Sequence, residues 1–312
     1  MTLATLSITQ AAYRHRFADP AFGLDLAEVV AARLGLAGPL VRRPEGSSLV
    51  FRTGAGDWLK LSPPFFADAF EAEVEVSRRV AGRLPLPVPE IVQTGRLENW
   101  PYLVSTHVAG APMGAVLPRL AEADLERIAG ELGGFMQAFH QVSAAGFDRA
   151  FGPWPRYLAA CLADPCALHL SRGNDPALAA RIAAFVERRR AALEALGPPV
   201  LVHADLTAEH VLLGRANGQW RVTGVLDLAD SMPAPAALDL VAPCLELFRG
   251  RAGPQRRLAA AAGIEIAEPD PSGWLMALAL QHLFVCFHDW FAPELAGGLT
   301  EIAAIAAAVF PL

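Results

Sequence analysis

Lysine is nearly absent from this 312-residue chain: one side chain, Lys60, stands among 26 basic residues. Basic charge is also in deficit, and a formal net charge of −6 argues against the broad positive stripe that nucleic-acid binding ordinarily needs. A cationic small molecule suits that balance better than nucleic acid, and no feature requires an obligate protein partner. Cysteine is scarce and unpatterned. Cys161, Cys166, Cys244 and Cys286 form no CxxC pair and no zinc-ligand spacing, so free thiols packed as small hydrophobes are expected. Long apolar runs are missing too: no stretch reaches about 18 to 20 apolar residues without charge, which leaves no evident membrane-spanning helix. The opening MTLATLSITQ lacks the charged start and apolar run of a secretory signal, and a cytoplasmic protein is expected. What is present is apolar bulk, 53% of residues, enough for one large domain or two lobes with substantial cores.

A chain that uses arginine almost everywhere draws attention to the one position where it does not. Lys60 lies in Gly-Asp-Trp-Leu-Lys-Leu-Ser, whose apolar residues alternate as in a half-buried strand. An ammonium is a compact point charge and a guanidinium a wide planar fork, so the two do not substitute for each other at a crowded phosphate.

Residues 24 to 36 have the spacing of an amphipathic helix, and 39 to 62 switch to short strand-like runs separated by turns. Helical spacing returns from about 65 to 83 and is stopped by Pro85, Pro87 and Pro89. Strands are expected at 90–94 and 102–108, around a turn at 96–100. Val108-Ala-Gly110-Ala-Pro112 reads as the link to a second part. Long alanine- and leucine-rich helices follow near 119–142, 154–163, 176–196, 236–249, 254–262 and 273–291, broken by a loop-and-strand segment from 200 to 228. The fold expected is α+β and bilobal, residues 1–107 forming a small strand-rich lobe and 108–312 a mostly helical one.

The segment richest in chemistry is Val200-Leu-Val-His203-Ala-Asp205-Leu-Thr-Ala-Glu-His210-Val-Leu-Leu213, followed by Val222-Thr-Gly-Val-Leu-Asp227. Two short apolar strands flank a polar loop and a third ends in an acid, which can gather Asp205, His210 and Asp227 around one volume. Phosphoryl transfer asks a protein chiefly for positioning and charge neutralisation. One carboxylate, Asp205, can hold an attacking hydroxyl, while another, Asp227, can hold Mg²⁺, a hard ion that keeps several waters.

His203-x-Asp205-x-x-x-x-His210, the strand ending in Asp227, and Asp239-Leu240 resemble the catalytic loop and metal aspartate of aminoglycoside phosphotransferases and related choline-kinase-like enzymes. The resemblance covers most of the chain and implies a protein-kinase-like fold, with ATP and Mg²⁺ as cofactors. Gly46-Ser47-Ser48 resembles the nucleotide loop, Trp58-Leu-Lys60-Leu the phosphate-lysine strand, and Phe70-Glu-Ala-Glu73 the helix carrying the lysine's glutamate. Within the family, Trp100-Pro-Tyr-Leu-Val, Leu247-Phe-Arg-Gly250 and the segment around His288-Asp289 are similar to a hygromycin phosphotransferase.

By that resemblance Lys60 contacts the α- and β-phosphates with Glu73 holding its ammonium, although Glu71 and Glu75 are near enough to be the partner. Ser47 and Ser48 sit over the phosphates, and the main chain of Thr106 and Val108 reads the adenine edge. Asp205 is the catalytic residue at the acceptor hydroxyl; Asp227 binds the metal. His210 stands where the family usually has asparagine. It either ligates the metal, hydrogen-bonds a metal-bound water or Asp205, or marks impaired metal binding, because imidazole nitrogen suits zinc or manganese better than magnesium.

His203 reads as a structural residue, Asp239 as an anchor for the catalytic loop, and Asp230 as either an acceptor-site residue or a solvated turn. His140, His282 and His288 read as core histidines, and Arg188-Arg189-Arg190 as a solvated face. The acceptor pocket is expected among Glu246, Asp289, Trp290, Phe291 and Glu294. The acceptor expected is a hydroxylated amine such as an aminoglycoside or aminocyclitol. A sugar, amino alcohol or macrolide is the same-fold alternative, and an inactive nucleotide-binding homologue the alternative of another class.

Overall fold

The computed structural model describes residues 8–43, 46–147, 153–266, 269–282 and 286–312. It begins with a five-stranded antiparallel sheet in the order β1-β2-β3-β5-β4, built from β1 (Val41–Arg43), β2 (Leu49–Arg52), β3 (Trp58–Leu61), β4 (Ile91–Leu97) and β5 (Trp100–Ser105). Strand alternation decides which side each residue serves. Leu49, Phe51, Leu59 and Leu61 are fully buried with Phe22, Leu26 and Val30 of the preceding helical segment. Trp58 and Lys60, out of phase with them, face the other way. On that side the helix Ala67–Val80 packs Phe70 and Val74 against Leu103 of β5.

The remainder is mostly helical around one large core. Its long central helix, Glu122–His140, lies against Ala252–Ala262, and Pro271–His282 packs with Ile302–Val309. Two small sheets are set among these helices. One pairs β7 (Val200–Val202) with β10 (Met232–Ala234), and the other joins β6 (Ala111–Pro112), β8 (Val211–Ala216) and β9 (Gln219–Val225).

Several expected elements differ. The turn at 96–100 shrinks to Glu98-Asn99, because β4 and β5 pair out to Leu97 and Trp100. The helix expected over 176–196 is two, Pro176–Glu187 and Arg190–Glu194. At the break Arg189 turns over the Phe185 ring, 3.8 Å away, and reaches Asp270. Arg189 and Arg190 are therefore packing residues more than a solvated face: Arg190 also donates to the Leu162 carbonyl. The stretch expected as a helix over 236–249 is a 3₁₀ turn, Ala236–Leu240, followed by the short helix Val241–Glu246. Pro165–Ser171 is an additional helix, started by Asp164 accepting from the Ala167 N–H. The expected helix over 273–291 ends at His282 and restarts at Phe287; residues 283–285 and the His282 side chain lie outside the described residues. His288, expected in the core, is exposed. All four cysteines are free thiols, and among the described residues no helix is long and apolar enough to cross a membrane.

Candidate active site

Lys60 lies at the centre of the site because Leu59 and Leu61 pin its strand from behind. Its Nζ donates to Glu73 Oε2 at 2.8 Å and lies 3.7 Å from Asp227 Oδ1. Both partners of the first pair are largely withdrawn from water, with side chains 14% and 13% exposed. Burial alone would lower the lysine's pKa, but the charges of Asp227 and Glu73 outweigh it and raise it, so the ammonium persists. The choice among three glutamates follows from helix geometry. Two residues are about 200° of rotation, so Glu71 and Glu75 point away from Lys60: Glu71 accepts from Arg96, and Glu75 pairs with Arg79.

The loop between β7 and β8 is held from beneath by Asp239. Its carboxylate accepts from the Ala204 N–H at 2.7 Å and the His203 N–H at 3.2 Å, and meets His140 Nε2 at 2.8 Å. Ala204 has φ of +67°, a left-handed conformation costly for a residue with a Cβ. The two hydrogen bonds to Asp239 compensate that strain. His140 is buried, as expected, with Asp239 as its partner.

His203 is fully buried beside Phe135 and Phe139. Its Nε2–H donates to the Leu226 carbonyl at 3.2 Å and its Nδ1 accepts from the Asp205 N–H at 3.3 Å, which describes a neutral ring. Burial lowers its pKa accordingly. Through these two bonds the ring ties the loop carrying Asp205 to the strand end carrying Asp227.

His210 Nδ1 lies 2.8 Å from the Asp205 main-chain oxygen and 3.1 Å from Asp205 Oδ2. A carbonyl oxygen only accepts, so Nδ1 carries a proton, and Nε2 is left facing Asp227 Oδ2 at 3.9 Å. Burial opposes the imidazolium, but the hydrogen bond to Asp205 and the charges of Asp227 and Asp205 prevail and push the pKa up to about 9. Asp205 is lowered, burial being outweighed by His210. Asp227 is lowered to about 2, burial being outweighed by Lys60 and His210. It adopts φ of +59°, with Oδ1 accepting from the Ala229 N–H at 3.2 Å. Asp230 moves the other way: burial, then the neighbouring charges of Asp205 and Asp227, push it up to about 7.

A cleft of about 640 Å³ opens between the first sheet and the helical part. It is lined by Gly46, Ser47, Ser48 and Lys60 on one side, by Thr106 and Val108 at the connection, and by His210 and Asp227 on the other side. Ser47 is held through its carbonyl, which accepts from the Tyr13 hydroxyl at 2.8 Å, while the Ser48 hydroxyl turns inward to Ser62. The Thr106 N–H is bonded to the Glu90 carbonyl, whereas the Thr106 C=O and the Val108 N–H have no partner among the described residues. Asp205 is outside this lining and reaches it through His210. A second hollow of about 560 Å³ lies beyond the helix Ala67–Val80 and is lined largely by apolar residues around Pro85, Pro87 and Pro89. It contains none of the grouped carboxylates.

The expected acceptor residues are only partly available. Phe291 is fully buried and offers no flat surface. Glu294 is committed to Arg249, with both carboxylate oxygens within 2.9 Å of its Nη1. Glu246 accepts from the Ala208 N–H at 3.0 Å and so supports the loop as well as lining the cleft. Two cleft residues escape a motif reading: Trp58 and His107, joined by an indole N–H donating to His107 Nδ1 at 3.1 Å. The period of β3 could have found the first, since Trp58 shares the face of Lys60.

For Mg²⁺, the donor set fits through Asp227, an ionised carboxylate open to the cleft, and one carboxylate plus nucleotide phosphates is a common arrangement. No group of three or more His, Cys, Asp or Glu side chains able to hold a metal exists among the described residues. His210 fits less well, since its Nδ1 is bonded to Asp205 and its remaining donor is nitrogen.

The chain is similar to known proteins in sequence and in fold. The family model for the phosphotransferase enzyme family matches residues 41–275. A viomycin phosphotransferase from Streptomyces vinaceus is 30% identical over 188 residues, 56% of this chain and 62% of the relative's own length. Among solved structures, the GDP complex of an aminoglycoside 2′-phosphotransferase-IIIa aligns with a TM-score of 0.69 at 16% identity, covering 93% of this chain and 100% of that one. An aminoglycoside phosphotransferase from Streptomyces rimosus, in complex with ADP and streptomycin, aligns at 0.59 and 20% identity over 83% of this chain and 99% of that one. These structural likenesses establish the protein-kinase-like fold.

Proposed function

Because this chain belongs to the phosphotransferase enzyme family, we propose that it moves the γ-phosphate of ATP to a hydroxyl of a small cationic acceptor, an aminoglycoside or aminocyclitol. The reading takes residues 1–107 as the nucleotide-binding lobe and 108–312 as the lobe carrying the catalytic loop and the acceptor site. Its strongest support is a single arrangement: Lys60 paired with Glu73 at 2.8 Å and facing Asp227 at 3.7 Å, with the His210–Asp205 pair beside them.

In this reading Lys60, kept protonated and aimed by Glu73, holds the α- and β-phosphates. Ser47 and Ser48 cover them closely, and the Thr106 C=O and Val108 N–H meet the base edge. Asp205, held ionised by the Nδ1–H of His210, accepts a hydrogen bond from the acceptor hydroxyl and keeps its oxygen in line with the phosphorus. Mg²⁺ bound with the nucleotide would rest on Asp227 and spread the phosphate charge. His210 supports Asp205 and adds positive charge at the phosphate end.

The test is ADP release with a panel of acceptors including hygromycin, viomycin, kanamycin and streptomycin, together with sugars and amino alcohols. Asp205→Asn should lower kcat by about 10²- to 10⁴-fold and leave ATP affinity nearly intact. Unchanged turnover would remove Asp205 from the mechanism, and ATP binding without transfer to any acceptor would favour an inactive homologue.

A further inference from the structure

The loop Gly46-Ser47-Ser48 is held from behind by a residue that lies outside the region matched by the family model, which begins at residue 41. Tyr13, on the short helix Gln10–Arg16, is only 3% exposed. Its ring stands among four others, with centroids 5.4 Å away at Phe65, 5.5 Å at Phe17, 5.6 Å at Phe22 and 6.2 Å at Trp100. All belong to the apolar layer that packs with Leu59 and Leu61, on the face of the first sheet opposite Lys60. Braced in this way, the phenol donates its hydroxyl proton to the Ser47 carbonyl at 2.8 Å. Burial raises its pKa, so the donor keeps that proton.

The same bond fixes the other side of the peptide. In a planar trans peptide the carbonyl and the following N–H point in opposite directions. Drawing the Ser47 carbonyl back toward Tyr13 therefore turns the Ser48 N–H forward, to the cleft that both serines line. That N–H has no partner among the described residues. Gly46 would otherwise leave the loop free to reorient: its φ is +93°, and a Cβ there would meet nothing within 4 Å. The Ser48 hydroxyl, 3.3 Å from that of Ser62, fixes the loop at its other end.

We propose that Tyr13 is a positioning residue for phosphate binding: its hydroxyl holds the Ser47–Ser48 peptide so that the Ser48 N–H is aimed at the nucleotide's phosphates. The inference rests on the nucleotide reading of the cleft and adds to it a residue that acts through the loop without touching the nucleotide. A donor fixed before the ligand arrives loses less freedom on binding than one that must first be turned.

The experiment is calorimetric titration of the full chain with ADP, with inorganic tripolyphosphate and with adenosine, beside thermal unfolding of each variant. Tyr13→Phe deletes one hydroxyl and keeps the ring in its cluster. Misaiming one hydrogen-bond donor costs roughly 3- to 10-fold in affinity. Tyr13→Phe should lose that much for ADP and for tripolyphosphate and nothing for adenosine, which has no phosphate. Phe65→Leu, which loosens the same cluster and spares the hydroxyl, should lower the melting temperature and leave all three affinities near the wild type. A hydroxyl that served stability alone would lower the melting temperature of Tyr13→Phe without changing what the folded chain binds. Unchanged ADP and tripolyphosphate affinity in Tyr13→Phe, an equal loss for adenosine, or the same losses in Phe65→Leu would overturn the positioning assignment. Failure of the wild-type chain to bind ADP would overturn the nucleotide reading itself.

Discussion

Asp230 is a carboxyl group whose surroundings favour its neutral form, because burial and the charges of Asp205 and Asp227 raise its pKa to about 7. An unfolded aspartate ionises near 3.9. Between those values the unfolded chain has released a proton that the folded chain still binds, so this group's contribution to stability is full below about pH 4 and is lost as pH rises through 7. Asp230→Asn, which cannot ionise, should therefore raise the melting temperature at pH 7 to 8 and change it little at pH 4. Thermal unfolding at both pH values checks this, and equal shifts would show that the carboxyl is not held neutral. At the same scale, the loop residues divide by legibility. Lys60, Asp205 and Asp227 stand out in the sequence because the proposed phosphate chemistry calls for those residue types in that order. Which of Glu71, Glu73 and Glu75 meets Lys60 is invisible there, since the answer depends on the rotation of the helix Ala67–Val80, and Phe70 and Val74 packing on Leu103 set that rotation.

Helices of this chain meet closely where glycine replaces a side chain. A Cβ on Gly133 would come within 2.6 Å of the Leu258 carbonyl oxygen and 2.5 Å of the Ala261 Cβ, at the crossing of Glu122–His140 with Ala252–Ala262. Its neighbour Gly134 would meet nothing within 4 Å. The same substitution should thus have opposite signs at adjacent positions. Gly134→Ala should gain up to about 1 kcal/mol from helix propensity, whereas Gly133→Ala should lose about 1 to 3 kcal/mol through overpacking against backbone. Chemical denaturation of the two variants measures both, and a stable Gly133→Ala would show that the crossing is looser than described. Element boundaries follow a related division. Asp175-Pro176 announces its helix, with Asp175 accepting from the Leu178 N–H, and Asp164-Pro165 announces another in the same way that periodicity alone overlooks. The break at Arg188-Arg189 is not announced, because it follows from where Phe185 and Asp270 stand.

At the scale of the whole molecule, a cleft lined by both parts means that a nucleotide bridging them stabilises the entire fold. A ligand present at 100 times its Kd adds about 2.7 kcal/mol to stability if it binds only the folded state. ATP should accordingly raise the melting temperature of the wild type and of Asp205→Asn, and the rise should be largely abolished in Lys60→Ala. An equal rise in Lys60→Ala would place the nucleotide elsewhere. The sequence by itself determined the kinase-like order of parts, namely a strand with the lone lysine, a glutamate-bearing helix, a loop with Asp205 and a strand ending in Asp227. Each of those features is local, and strand period, helix period and residue chemistry suffice to show it. The tertiary structure alone decided that Glu73 takes the lysine, that His210 spends Nδ1 on Asp205, that Asp239 steadies the strained Ala204, and that Phe291 is buried while His288 is exposed. Apart from the bond between His210 and Asp205, five residues apart in one loop, those outcomes depend on residues that only the packing of one element on another brings together.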